Sequence, residues 1–111
     1  MIVFGSTLSP YVRKCMVFGA EKGLDLELQP AGLGRGGPDF QAASPFGKIP
    51  GFKDGDFLIS DSSAIVAYLD AKYPEPVLIP ADPEERGRAV WSGTSDELIA
   101  APELQHRYLG I

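Results

Sequence analysis

Three groups of polar side chains in this sequence are placed to act on a ligand: Ser9 ahead of Pro10, Lys48 ahead of Ile49-Pro50, and the run Ser60-Asp61-Ser62-Ser63. Ser9-Pro10 is helix-start chemistry. The serine oxygen can accept a backbone N–H, and the proline stands in the first turn, where a missing donor costs nothing. The same hydroxyl can donate its proton to a ligand thiolate. Favouring the charged form lowers a thiol pKa from about 8.5 toward neutrality, and the thiolate is the nucleophilic species. Ser62, with the free amides of a helix beginning there, suits a carboxylate, while Asp61 suits an ammonium; together they would grip both charges of an amino acid. Lys48 suits a second carboxylate at the far end of an elongated ligand. Each group has a plainer reading on its own: a capping serine worth about 1 kcal/mol, an over-supplied cap, and a solvated lysine. Their weight comes from meeting in one place, which depends on the elements that carry them.

Ile2-Val3-Phe4 is short, apolar and closed by Gly5, the pattern of a buried strand. A helix follows from Pro10 to about Lys22 and stops at Gly23. Its inward stripe is expected to hold Val12, Cys15, Met16, Gly19 and Ala20, with Arg13, Lys14, Glu21 and Lys22 toward water. Leu24 to Gln29 alternates apolar and polar residues, the signature of a strand with one buried face. A helical crossover of this length makes the two strands parallel neighbours. The glycine-rich segment 30–38, "PAGLGRGGP", is expected to be an exposed, mobile loop, with a short helical turn after it near Asp39 to Ala43.

Past Pro50, Phe52-Lys53 and Phe57-Leu58-Ile59 read as a hairpin closed by a two-residue Asp54-Gly55 turn of type I′. The four strands then form one mixed α/β sheet. Ala64, Ile65, Tyr68 and Leu69 give a helix after Asp61, ended by Tyr73-Pro74. Pro74, Pro76, Pro80 and Pro83 punctuate a linker, and Asp82-Pro83-Glu84-Glu85 repeats helix-start chemistry. Beyond it, Leu98, Ile99, Leu104, Tyr108 and Leu109 have no evident surface to cover, as if the chain stopped inside something larger. In this order the start of the first helix, the Pro50 loop and the start of the helix after Ile59 fall at one end of the sheet. Two neighbouring helix N-termini there favour an anionic ligand.

The net charge of −5, with ten basic residues scattered along the chain, argues against nucleic acid as a partner. A single cysteine excludes a disulfide framework and a cysteine-rich metal site, and one histidine, His106, reads as surface; no metal is expected. Cys15 reads as a core residue. No run approaches the roughly 20 apolar residues of a membrane span, so a cytoplasmic protein without membrane contact is expected.

The stretches "SPYVRKC" at 9–15, "EKGLDLELQ" at 21–29, "SPFGKIP" at 44–50 and "DSSAIVAYL" at 61–69 together resemble the N-terminal, thioredoxin-like domain of cytosolic glutathione S-transferases, the bacterial ones above all, over residues 1 to about 80. The resemblance implies a thioredoxin-like βαβ-ββα domain over residues 1–75, a linker at 76–83, and the beginning of a truncated all-helical C-terminal domain at 84–111. It implies glutathione as cosubstrate, a tripeptide whose two carboxylates, ammonium and thiol fit the pocket described above. Asp61 and Ser62 match the γ-glutamyl grip, and Lys48 the contact to the glycyl carboxylate. The backbone of Ile49, held by a cis peptide to Pro50, matches the partner of the cysteinyl backbone, which would pair there as an added strand. Ser9 stands where the thiol would be met, with Ser6 and Thr7 in the same loop as alternatives and Tyr11 as a further option. The implied activity is activation of the thiol for attack on a small electrophile, by a homodimer in the full-length protein. The rival readings are a non-catalytic interaction module with this fold and a glutaredoxin-like thiol oxidoreductase. Serine at position 9, where the latter carries cysteine, argues for conjugation.

Overall fold

Alternate residues of the first strand serve opposite faces of one sheet. The computed structural model describes residues 1–91, with side chains through Gly87. Its elements are β1 (Ile2–Gly5), α1 (Pro10–Glu21), β2 (Glu27–Pro30), α2 (Pro38–Ala43), β3 (Gly51–Asp54), β4 (Phe57–Ser60), α3 (Ser62–Lys72) and α4 (Pro83–Trp91). The sheet order is β2-β1-β3-β4. β1 and β2 are parallel, with Val3 opposite Leu28, and β3 lies antiparallel to both β1 and β4, with Phe52 opposite Val3 and Ile59. This is the expected thioredoxin-like βαβ-ββα arrangement with a mixed four-stranded sheet.

Successive strand residues point to opposite faces. Val3 therefore joins Val12, Cys15, Phe18, Ile65 and Leu69 in a core between the sheet and the α1–α3 pair. Phe4 joins Ala31 and Phe40 on the other face, under α2. A strand covered on both faces has no polar side to show, which is why Ile2-Val3-Phe4 reads as an unbroken apolar run.

The helix ends follow from local chemistry. Ser9 caps α1 by accepting the Val12 amide at 3.3 Å. At the other end Gly23 has φ +74, its amide donates to Ala20 at 2.9 Å, and that of Leu24 donates to Gly19 at 2.9 Å. That double closure needs a left-handed residue, which glycine supplies without a Cβ penalty.

Several expectations need correction. The buried stripe of α1 includes Phe18, while Ala20 is exposed. Lys22, expected in water, is buried: its ammonium lies 3.0 Å from Asp70 of α3 and donates to the Pro76 carbonyl at 2.6 Å. A buried charge is tolerable only when paired and hydrogen-bonded, and both partners lie far along the chain. The β2 ladder begins at Glu27, three residues later than the alternation predicts, although Leu26 is already buried. The hairpin turn is Gly55-Asp56 rather than Asp54-Gly55, because Asp54 still pairs with Phe57. Positive φ at Gly55 alone matches a type II′ turn, which wants glycine first.

The 30–38 segment is largely exposed, but its backbone is closed. Gly32 and Arg35 exchange hydrogen bonds of 2.9 and 3.0 Å around Leu33 and Gly34, both with positive φ. The expectations for Leu98, Ile99, Leu104, His106, Tyr108 and Leu109 fall outside the described residues. Among the described residues no helix is long and apolar enough to cross a membrane.

Candidate functional site

Strand direction brings the three polar groups together. β1, β2 and β4 run one way and β3 the other. The exit of β1 toward Ser9, the entry to β3 at Pro50 and the exit of β4 at Asp61 therefore share one end of the sheet.

At the first of these, Ser9 is half-buried and spends its oxygen on the α1 cap. A hydroxyl that accepts still has its own proton to give. Ser6, in the same loop, accepts the Leu8 amide at 3.2 Å, and the exposed Thr7 offers its carbonyl to the Arg13 guanidinium at 2.7 Å. The loop is thus held by its own hydroxyls and by a helix side chain.

The 44–50 loop is braced from within. The Gly47 amide donates to the Ser44 carbonyl at 2.9 Å, and the Ser44 hydroxyl donates to the Lys48 carbonyl at 2.6 Å. Gly47 has φ +70, so glycine suits the turn. Lys48 is consequently fixed at its backbone while its side chain is exposed. The Ile49–Pro50 bond is cis, as the family resemblance implies. Among the described residues, none hydrogen-bonds the amide or carbonyl of Ile49, which leaves both for a ligand backbone.

The third group opens α3. Asp61 caps the helix by accepting the Ala64 amide at 3.1 Å, and it does so with φ 82 and ψ 122. A non-glycine residue with this backbone is unusual and costs of order 1–3 kcal/mol. Ser62 follows and is buried, accepting a hydrogen bond from the Lys14 ammonium at 3.3 Å; Ser63 accepts a second from the same ammonium, also at 3.3 Å.

A cleft of about 450 Å³ lies between these parts. Lys48, Ile49, Pro50, Asp61 and Ser62 all line it. Five of the six residues singled out from the sequence thus face one space. Ser9 is not among the lining residues; α1 contributes Tyr11 and Lys14 instead. Lys14, expected in water, and Ser44, whose role is to brace the loop, went unnoticed in the sequence because only the folded chain shows their partners. Cys15 lies just behind, fully buried, its thiol donating weakly to the Ser62 carbonyl at 3.8 Å. Burial pushes that thiol up to about 12, against a smaller downward pull from Lys14 and a further upward push from Asp61. It is a core thiol, not a nucleophile. Among the described residues no group of His, Cys, Asp or Glu could hold a metal ion.

Comparison with known proteins places this geometry. The family model described as glutathione S-transferase, N-terminal domain, matches residues 3–77. Glutathione S-transferase Z1 of Arabidopsis thaliana is 49% identical over 70 residues, covering 60% of this chain and 32% of the relative. Among solved structures, a bacterial zeta-class maleyl pyruvate isomerase matches with a TM-score of 0.69 and 27% identity, over 80% of this chain and 43% of its own. Human glutathione transferase theta-2, solved with glutathione, matches with a TM-score of 0.67 and 34% identity, over 82% and 39%. This chain therefore spans about a third of the length of that plant relative and about two fifths of those solved structures. With the family model covering well over half of its residues, the chain belongs to the glutathione S-transferases as their N-terminal, thioredoxin-like domain.

Proposed function

We propose that this chain is the glutathione-binding part of a glutathione transferase, activating the thiol for attack on a small electrophile. The observation that carries the reading is the shared cleft of Lys48, Ile49, Pro50, Asp61 and Ser62 at the N-terminal end of α3. Extended glutathione has matching chemistry along its length. Its γ-glutamyl ammonium goes to Asp61, whose second oxygen is left over by the cap, and its α-carboxylate goes to Ser62 and the first α3 amides. The strained backbone of Asp61 is consistent with a carboxylate aimed at a ligand. The cysteinyl backbone pairs with Ile49, and Lys48 takes the glycyl carboxylate.

The thiol then lies toward the α1 N-terminus. There Ser9 donates a hydrogen bond to sulfur and the helix end adds partial positive charge, both of which favour the thiolate. The thiol proton leaves to solvent. The sulfur lone pair forms the new bond to the electrophilic carbon, and the leaving group departs with its bonding pair. Residues 76–83 act as a linker, and α4 begins the helical portion that, in a longer protein, completes the electrophile site and a homodimer. A soluble cytoplasmic enzyme fits this reading.

Calorimetric titration with glutathione tests it. Saturable binding in the micromolar to low millimolar range supports the reading. No heat of binding at millimolar ligand would transfer it to the non-catalytic interaction module.

A further inference from the structure

We infer that Lys14 is the cation that receives the α-carboxylate of the bound amino-acid moiety, and that it sets the preference of this end of the cleft for a carboxylate-bearing ligand. The inference rests on the glutathione reading above and deepens it.

Lys14 comes from the middle of α1, yet its ammonium reaches the first turn of α3, donating at 3.3 Å to both Ser62 and Ser63 and lining the cleft. Like charges are gathered there. The N-terminus of α3 carries the positive end of an 11-residue helix, and a lysine cation placed against it is repelled unless negative charge stands between them. The Asp61 carboxylate of the same turn caps the helix through the Ala64 amide, and once it pairs with the ligand's ammonium it leaves Lys14 facing the helix end without a counter-charge of its own. Ser62 is 6% exposed, lines the cleft, and accepts from Lys14 while its own proton meets no acceptor among the described residues. A buried hydroxyl with an unused proton, a cation beside it and open helix amides together make a receptor for a carboxylate: one oxygen for Ser62 and the amides, the other for Lys14. Asp61 on the same rim takes the neighbouring ammonium, so the pair Lys14 and Asp61 reads the two charges of an α-amino acid in a fixed order.

A cycle in protein and ligand tests the inference. Glutathione and its analogue lacking only the α-carboxylate, γ-aminobutyryl-cysteinyl-glycine, are titrated into the native protein, Lys14→Met and Lys14→Arg. A charge-assisted contact of this kind predicts that Lys14→Met weakens glutathione about tenfold or more. The analogue should bind the native protein correspondingly weakly and lose nothing further in Lys14→Met, and Lys14→Arg should retain most of the affinity. An equal loss for both ligands would mean that Lys14 only supports the shape of the cleft, and an unchanged glutathione affinity would remove it from the site; either result overturns the inference and leaves the glutathione reading standing. Failure of the native protein to bind glutathione overturns both.

Discussion

The hydroxyl oxygen of Ser9 accepts the Val12 amide at 3.3 Å and keeps its own proton, so one side chain caps α1 and still has a donor to give. The two roles can be separated. Ser9→Ala removes cap and donor together and is expected to cost about 1 kcal/mol of stability, whereas Ser9→Gly keeps most of the cap's value and costs only a few tenths. Both should raise the pKa of bound glutathione equally, because both lack the hydroxyl. Denaturant unfolding beside a thiol titration checks this. Equal thiol pKa values in the native protein and both variants would leave Ser9 a cap and nothing more.

The buried ammonium of Lys22 holds three parts of the chain at one point: the end of α1, Asp70 in α3, and the Pro76 carbonyl after it. Its stem also lies beside Phe18, with the ammonium 5.6 Å from the ring centroid. Lys22→Ala loses packing as well as charge and leaves Asp70, which is 30% exposed, to recover water. A loss of about 2 kcal/mol is expected, below the range for a fully buried pair. Lys22→Met keeps the stem and should cost about 1 kcal/mol or less. Urea unfolding midpoints measure both, and equal midpoints for Lys22→Ala and the native protein would contradict the account.

Asp54 couples the hairpin to α3. Its carboxylate accepts from the Lys72 ammonium and, at 2.6 Å, from the Tyr68 hydroxyl. The Lys72 bond first and the Tyr68 bond second hold its pKa below the usual carboxylate value. With the folded pKa depressed, the unfolded chain takes up this proton first as pH falls. The stabilisation is therefore complete above the unfolded value of about 4 and is lost on acidifying below it. Asp54→Asn should flatten that part of the stability profile while lowering stability at pH 7. An acid limb of unchanged steepness in the variant would argue against the coupling.

Features set by neighbours in sequence were legible before the fold was known. Ser9-Pro10, Gly23, and the cap-rich run Ser60-Asp61-Ser62-Ser63 each announce a helix end through residues within one turn of it, and the Pro50 loop declares itself by its two prolines and glycine. Features set by distant partners were not. The side chains of Lys14 and Lys22 look like solvated helix lysines until Ser62 and Asp70 are folded against them. The Leu24-Leu26-Leu28 alternation records burial, which begins before the strand is hydrogen-bonded, so it overran the start of β2. At the hairpin, Asp-Gly and Gly-Asp are both acceptable two-residue turns, and only the pairing of Asp54 with Phe57 decides between them.

The central claim is that this cleft binds glutathione and makes its thiol a nucleophile. The most direct measurement follows the ultraviolet absorbance of the thiolate while pH is raised, with glutathione bound to the native protein and with glutathione alone. Hydrogen bonding from Ser9 and the end of α1 predict a bound thiol that ionises about one pH unit or more below the free one. A bound thiol that titrates together with free glutathione would contradict the account.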